Sequence, residues 1–544
     1  VSRPWSAHAL RPEAGPGAWL LELTLGGTTY YVADVERDVL KADGESVHYR
    51  AGLTIGGYEQ LLAAQGDVGG ELSVALEADV GVSVALLVQS RGVDLSAGSG
   101  ELSYLPGDAD TYEERLLALL GVVDEPEYGA PDQPLEVLVF SLRQAIPDDA
   151  GLIPDPSMRI TDAAFSAFVM PESAKEVQMP FVFGFPGAFV ELDGTGVTLG
   201  ATPGTRIEGA LDFRIVIAGH HVQAAFVEVF DSDLQSQIRP VTNDYDDYGR
   251  PYAWIERDVG APLNVAEPTY WIAWYPGVGG SGIATPYAAA ASLAGAGSLI
   301  RYLLSQASIP TDDRSIAGAA AWLDNRFQLG GYGDSAQSPW DFLRDEIAPL
   351  LPIALVPGQS GMRVVIWRPG ATAADAAEHL VEGSGCFLQS SISYDRKRGD
   401  VINKVTLEYA IDGRTGDPRR VITLTPDPDP ANPAEWSTDH ARVSAARYRT
   451  HATTLSSSYV WGDKTAALIC EMYVVFHGFV WRVLVVAVDR MRSWVQPGMV
   501  VTYTNADLFL EDQPCIVSNW ARDEGGAILT LTICEDPVRD RRSI

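Results

Sequence analysis

The sequence predicts a mainly β, multidomain protein with an inserted α/β domain. Three observations carry this. Glycine and proline are abundant, 52 and 34 in 544 residues, which fits a chain with many tight turns. Strand-like runs recur through the first 270 residues and again after residue 400. Between them the composition becomes rich in Ala and Leu, and helical patterns begin. The length fits three or four domains. They are drawn as 1–150, an amino-terminal β-rich domain; 151–270, a second β-rich domain; 271–385, the α/β insert; and 386–544, a carboxyl-terminal β domain.

In the first domain, Leu20–Thr24 and Thr28–Ala33 flank Gly26-Gly27, a hairpin turn that uses glycine's tolerance of positive φ. Further strands are expected at Glu71–Leu76, Val82–Gln89, Glu101–Leu105 and Leu135–Leu142. A helix is expected between the last two. Thr111 and Glu114 form a capping-box pattern ahead of Leu116, Leu117, Leu119 and Leu120. A Pro/Asp-rich linker, Ile146–Met158, follows. In the second domain Gly187–Gly204 reads as strands joined by tight turns, and Phe213–Ala218 and Val222–Phe230 as a hairpin around Gly219-His220.

The insert reads as helices at Ala284–Ala307 and Ser315–Asn325, and a third opened by Ser338-Pro339 with Asp341 near its positive end. A hairpin, Ile353–Val356 with Met362–Trp367, and a short helix, Ala373–Val381, complete it. After residue 400 the strands are Val401–Ala410, Val421–Leu424, Phe479–Val488, Met499–Thr504, Cys515–Asn519 and Ala527–Cys534. Thr425–Pro433, with its Asp-Pro repeats, is a stiff exposed loop, and Asp463–Phe476 a helix. The apolar stretch Ala466–Val488 has the length of a membrane span. It carries Glu471, His477 and Arg482 and reads instead as a helix followed by a buried strand, without stable membrane insertion. The opening residues have no apolar run and do not read as a signal peptide.

With 39 Lys and Arg against 72 Asp and Glu, the net charge is −33. That opposes broad binding of nucleic acid or acidic lipid. It is compatible with DNA that slides past without sticking. The four cysteines, Cys386, Cys470, Cys515 and Cys534, lack the spacing of a zinc site and are expected buried and reduced. Gly277–Gly282 matches G-x-G-x-x-G, but Ile283–Thr311 holds no acidic ribose partner and no second strand follows. The run reads as a junction. Asp244–Gly249 resembles the start of a calcium loop, but Ile255 stands where a bidentate Glu is needed. It reads as a turn carrying interface tyrosines. His220 and His221 would face opposite sides of a strand, and Ser281 and Ser360 complete no nucleophile motif. No catalytic, cofactor-binding or metal residue is nominated, and no enzyme is expected.

The carboxyl-terminal third carries a resemblance. Its elements are Asp400–Tyr409, then His440, Ser444 and Tyr448, then Asp463–Ala467, then Trp494-Val495-Gln496-Pro497-Gly498-Met499-Val500-Val501. In order and spacing these resemble the tail-tip baseplate hub proteins of long-tailed, siphophage-type bacteriophages. Met499 replaces that family's usual Asp, and Arg449 stands where it favours Gly. Met179–Gly184 and the Asp246–Ala253 turn are similar to shorter elements of such proteins.

The resemblance implies a homotrimer of β-barrel, tail-tube-like domains at the tip of a virion's tail. The hub would close the tail tube and meet the distal tail protein or a tube ring. It would also contact the tape-measure protein and tail fibre or tip proteins, and open to pass genomic DNA. The competing class is a carbohydrate-binding or carbohydrate-processing β-protein of the tail tip, since 13 Trp and 21 Tyr could stack on sugars.

Overall fold

The structure is a computed structural model. It describes residues 18–61, 70–76, 98–105, 109, 111–128, 138–144, 151–169, 171–190, 196–198, 201–209, 213–222, 226–230, 236–257, 269–274, 293–309, 311–358, 361–366, 370–489, 492, 495–523, 526–535 and 538. The chain is mainly β. Val82–Gln89 and the glycine run Gly277–Gly282 lie outside the described residues.

Nine strands come first. They are β1 (Ala18–Leu25), β2 (Thr28–Ala33), β3 (Arg37–Leu40), β4 (Ser46–Ala51), β5 (Leu53–Leu61), β6 (Gly70–Leu76), β7 (Ser99–Leu105), β8 (Leu116–Tyr128) and β9 (Leu138–Gln144). Gly26 and Gly27 turn β1 into β2 with φ of 54° and 80°. The expected helix after Thr111 is absent. Thr111 and Glu114 cap one 3-10 turn, and the leucine run enters β8, hydrogen-bonded between β7 and β9. The cap signature was satisfied locally. Pairing with β7 along the leucines, continued by β9 from Gly121, then outweighed their helix preference.

Ten strands follow: β10 (Phe168–Val169), β11 (Phe181–Phe183), β12 (Ala188–Val190), β13 (Gly196–Thr198), β14 (Thr202–Gly209), β15 (Phe213–Ala218), β16 (Phe226–Phe230), β17 (Ser236–Tyr245), β18 (Pro251–Arg257) and β19 (Thr269–Trp274). Six of them close a barrel in the order β14-β15-β18-β17-β16-β19, with β19 pairing back to β14. The expected hairpin of β15 with β16 does not form. β15 pairs with β14 and β18, and β16 with β17 and β19. The reason is an anchor at its supposed turn. Gly219 N–H donates to Pro180 O at 2.9 Å, and the buried His220 ring accepts from Val182 N–H at 3.0 Å.

The insert contains α1 (Ala296–Gln306), α2 (Asp313–Asp324), β20 (Gly331–Gly333), a helical stretch from Pro339 to Leu350, β21 (Ile353–Gly358) and β22 (Gly361–Ile366). Ser338 and Asp312 cap their helices as side-chain acceptors. Next come β23 (Glu378–Val381), β24 (Cys386–Leu388) and β25 (Ser393–Tyr394). The short helix expected at Ala373–Val381 is only a 3-10 turn, Ala373–Asp375, capped by Thr372. Its second half is β23, held parallel to a later strand.

The last section holds β26 (Lys404–Ile411), β27 (Pro418–Leu424), β28 (Glu435–Trp436), α3 (Asp439–Tyr448), β29 (Ala452–Ser456), α4 (Asp463–His477), β30 (Arg482–Asp489), β31 (Val500–Asn505), β32 (Leu510–Asp523) and β33 (Gly526–Ile533). Two assemblies result. β26–β29 form a four-stranded sheet that packs with α1, α2 and α4 into one core, joining Leu299, Leu323 and Phe342 to Leu407, Tyr409 and Ile469. β23–β25 and β30–β33 merge with β1–β9 into a sixteen-stranded sheet. The splice is β5 against Asn519–Ala521 of β32. A core containing Leu21, Leu23 and Val123 together with Leu484, Leu529 and Leu531 spans it.

Two helix glycines test the packing of the insert. A Cβ on Gly297 of α1 would lie 2.3 Å from Ala320 Cα of α2, whereas a Cβ on Gly318 would meet nothing within 4 Å. Gly297→Ala should therefore destabilise by about 1–3 kcal/mol through overpacking. Gly318→Ala should stabilise by about 0.5–1 kcal/mol through backbone entropy. Denaturant midpoints that move in the same direction for both would contradict this packing.

Candidate functional site

A cavity of about 420 Å³ lies in the seam between the large sheet and the helical unit. Helix α4 makes it. Its sequence is apolar on nearly every face, a pattern that demands burial all round. Ala466, Ile469, Cys470 and Val474 are buried. Met472, Tyr473 and Phe476 are only half-buried and face the cavity with Leu350. The opposite wall is the polar face of β32 and β33, including Ser518 and Thr530.

At one end Arg396 Nη1 donates to His477 Nδ1 at 3.0 Å. Arg396 is also ion-paired to Asp395 at 2.7 Å, whose Oδ1 accepts the Trp481 N–H at 2.8 Å. Burial, then the neighbouring Arg396, pushes the His477 imidazole down to about 4. The ring is thus a neutral acceptor at neutral pH, with the Tyr473 ring tilted against it at 4.3 Å. Cation, carboxylate and imidazole satisfy one another. The lining suits an apolar group and assembles no nucleophile with its base.

The resemblance-bearing residues sit at joints. Asn403 is fully buried and opens β26. Its Nδ2 donates to Ser444 Oγ at 2.9 Å and to Arg449 O at 2.7 Å, and its Oδ1 accepts from His451 N–H at 2.9 Å. Ser444 Oγ passes the chain on to Gly478 O, after α4. The spaced His440, Ser444 and Tyr448 lie on α3, a helix that the sequence reading did not delimit. Asp463 starts α4 and accepts from Tyr409 OH at 2.6 Å. In the Pro497-Gly498 turn, Met499 Sδ accepts from Gln496 N–H at 3.4 Å, the place where an Asp carboxylate would act as acceptor. Arg363 of β22 reaches Gln496 Oε1 at 3.2 Å across that turn.

Other candidates resolve as structure. Asp246 has a fully buried carboxylate. It accepts from Tyr248 N–H at 3.0 Å and Arg250 N–H at 2.9 Å, and pairs with the Arg250 guanidinium at 2.6 Å. The turn thereby displays Tyr245 and Tyr248, 60% and 62% exposed. Asp244 pairs with Arg214 at 3.1 Å, and Asp247 accepts from Ser166 N–H at 2.7 Å. His220 is pushed down to about 4, chiefly by burial, and holds β11 rather than a ligand. All four cysteines are buried thiols. Among the described residues no three His, Cys, Asp or Glu side chains gather as a metal site, and no helix is long and apolar enough to cross a membrane. Ser281 and Ser360 lie outside the described residues. The cavity had no sequence signal, because its walls come from four distant segments.

No family model matches the chain, and no curated protein matches it. Solved structures do. A tail protein from Neisseria meningitidis MC58 aligns at 9% identity over 96% of this chain and 97% of its own, with a TM-score of 0.35. A 43 kDa tail protein of prophage MuSo2 from Shewanella oneidensis aligns at 11% identity over 95% and 98%, with a TM-score of 0.37. A chain of a native gene transfer agent virion aligns at 13% identity over 70% and 89%, with a TM-score of 0.36. Scores at this level do not establish a common fold, so the reading below stands on this chain's own residues.

Arg449 offers a direct test of the α3 joint. It follows α3 with φ 69° and ψ 177°, a region almost confined to glycine. Its side chain is exposed. Arg449→Gly should raise stability by about 1 kcal/mol, the relieved strain offset partly by glycine's entropy. Arg449→Ala keeps the strain and should leave the melting temperature nearly unchanged. Equal gains from both variants would locate the effect in the side chain and contradict the backbone account.

Proposed function

We propose that this chain is a structural protein of a bacteriophage virion, the baseplate hub at the tip of a long tail. The observation that carries the reading is the pairing of a closed six-stranded barrel with a second β body, the sixteen-stranded sheet, in one chain. Three copies around an axis would present six barrel-like bodies to a sixfold tube, as the sequence resemblance implies. The resemblance-bearing letters support the same reading. Asn403, Ser444, Asp463 and Gly498 tie segments together and serve no chemistry, which is what a scaffold needs.

In this role the homotrimer closes the tail tube and binds the distal tail protein or a tube ring. It meets the tape-measure protein inside and tail fibre or tip proteins outside, and opens for DNA ejection. The net charge of −33 lets a duplex pass without adhering. The protein has no catalytic role of its own.

Quantitative mass spectrometry of purified particles tests the reading. The chain should be present at half the copy number of one sixfold tube ring. Its absence from particles, or parity with the ring, would overturn the trimeric hub.

A further inference from the structure

The most exposed large apolar side chain among the described residues is Phe509, at 96%. It is held out, not merely left out. Asn505 caps the 3-10 turn Ala506–Leu508 by accepting from Leu508 N–H at 3.1 Å. The Asn505 amide donates to Tyr503 OH at 3.0 Å, and Tyr503 OH donates to Glu382 at 2.7 Å. On this fixed base Phe509 adopts φ 56° and ψ 34°, a left-handed conformation unfavourable for a bulky residue. Asp507, Glu511 and Asp512, all exposed, flank it in sequence. The chain thus presents an aromatic knob on an acidic collar.

The matching socket is the seam cavity. A cavity of roughly 150 Å³ already holds a benzene ring, and this one is about 420 Å³ and lined by Ile469, Met472, Tyr473 and Phe476. Methionine lets such a lining adapt to an aromatic guest. Arg396 lines the cavity, and the next two residues in sequence, Lys397 and Arg398, are exposed. Arg396 is spent on Asp395 and His477, which leaves Lys397 and Arg398 against the single adjacent carboxylate of Asp400. In a chain this acidic, a basic mouth facing an acidic collar is a specific complement.

The knob does not enter its own socket. Phe509 is 96% exposed and takes no part in the cavity lining of its own copy. We infer that Phe509 of one copy inserts into the α4 cavity of a second copy of this chain, with Asp507, Glu511 and Asp512 against Lys397 and Arg398. Knob and socket are different surfaces, so a one-way, head-to-tail contact between them can repeat around a closed ring. This rests on the ring proposed above and supplies its contact.

Engineered cysteines test it on the full chain, in solution and in particles. Phe509→Cys combined with Met472→Cys should give covalent closed trimers on mild oxidation, while each single variant stays uncrosslinked. Phe509→Asp should weaken self-association at least tenfold. Lys397→Glu with Arg398→Glu should weaken it too, and adding Asp507→Lys with Glu511→Lys should restore it in part. Trimers that persist unchanged in Phe509→Asp, or a Phe509→Cys dimer, would overturn the knob and socket and leave the ring standing. A wild-type chain that stays monomeric at about 100 µM and is absent from particles would overturn both.

Discussion

Backbone hydrogen bonding at strand edges is the constraint on which the rest of the structure depends. A β-rich chain must pair or cover every edge. The central barrel does this by itself, because Thr202–Thr205 of β14 take up Thr269–Ile272 of β19 and leave no edge among the six strands. The large sheet uses a different solution. β32 is long enough to pair with β33 on one side and with both β31 and β5 on the other. That shared edge splices the first nine strands to the last four. It also buries one continuous core beneath residues roughly 400 positions apart in sequence. The sheet still ends at β3 and at the short strands β24 and β25.

The same splice explains where polar side chains are spent. Asn403, Ser444 and Arg449 gather the starts and ends of β26, α3 and α4 through buried hydrogen bonds. Buried polar groups of this kind are costly unless every partner is present. They therefore specify one arrangement of the segments. Glu22 does similar service near the amino end, accepting from Tyr49 OH and Tyr112 OH, each at 2.7 Å, beside Arg115. Both centres act as fasteners.

Much of this was legible in the sequence. Alternating runs such as Lys404–Ile411 and the Gly26-Gly27 turn report their structure directly, since period and turn chemistry are local. Ser338-Pro339 likewise opened a helical stretch. The errors share a cause. Thr111–Glu114 and Thr372–Asp375 carry complete capping boxes, yet each caps a single turn because a strand partner claims the residues that follow. Phe213–Ala218 and Phe226–Phe230 are strands as expected, but their partners are set by His220 and Gly219 bonding to a distant segment. The seam cavity and the Phe509 tip depend on which distant faces meet and on one left-handed residue. No local pattern encodes either.

The proposed role places this chain around the path of DNA, where a reconstruction of the tail's distal end in intact particles would resolve it. The account predicts copies of the chain disposed about the tail axis, with acidic and neutral polar side chains within one Debye length, about 8–10 Å, of the passing duplex. A net positive lining, or a chain placed away from the axis, would contradict it.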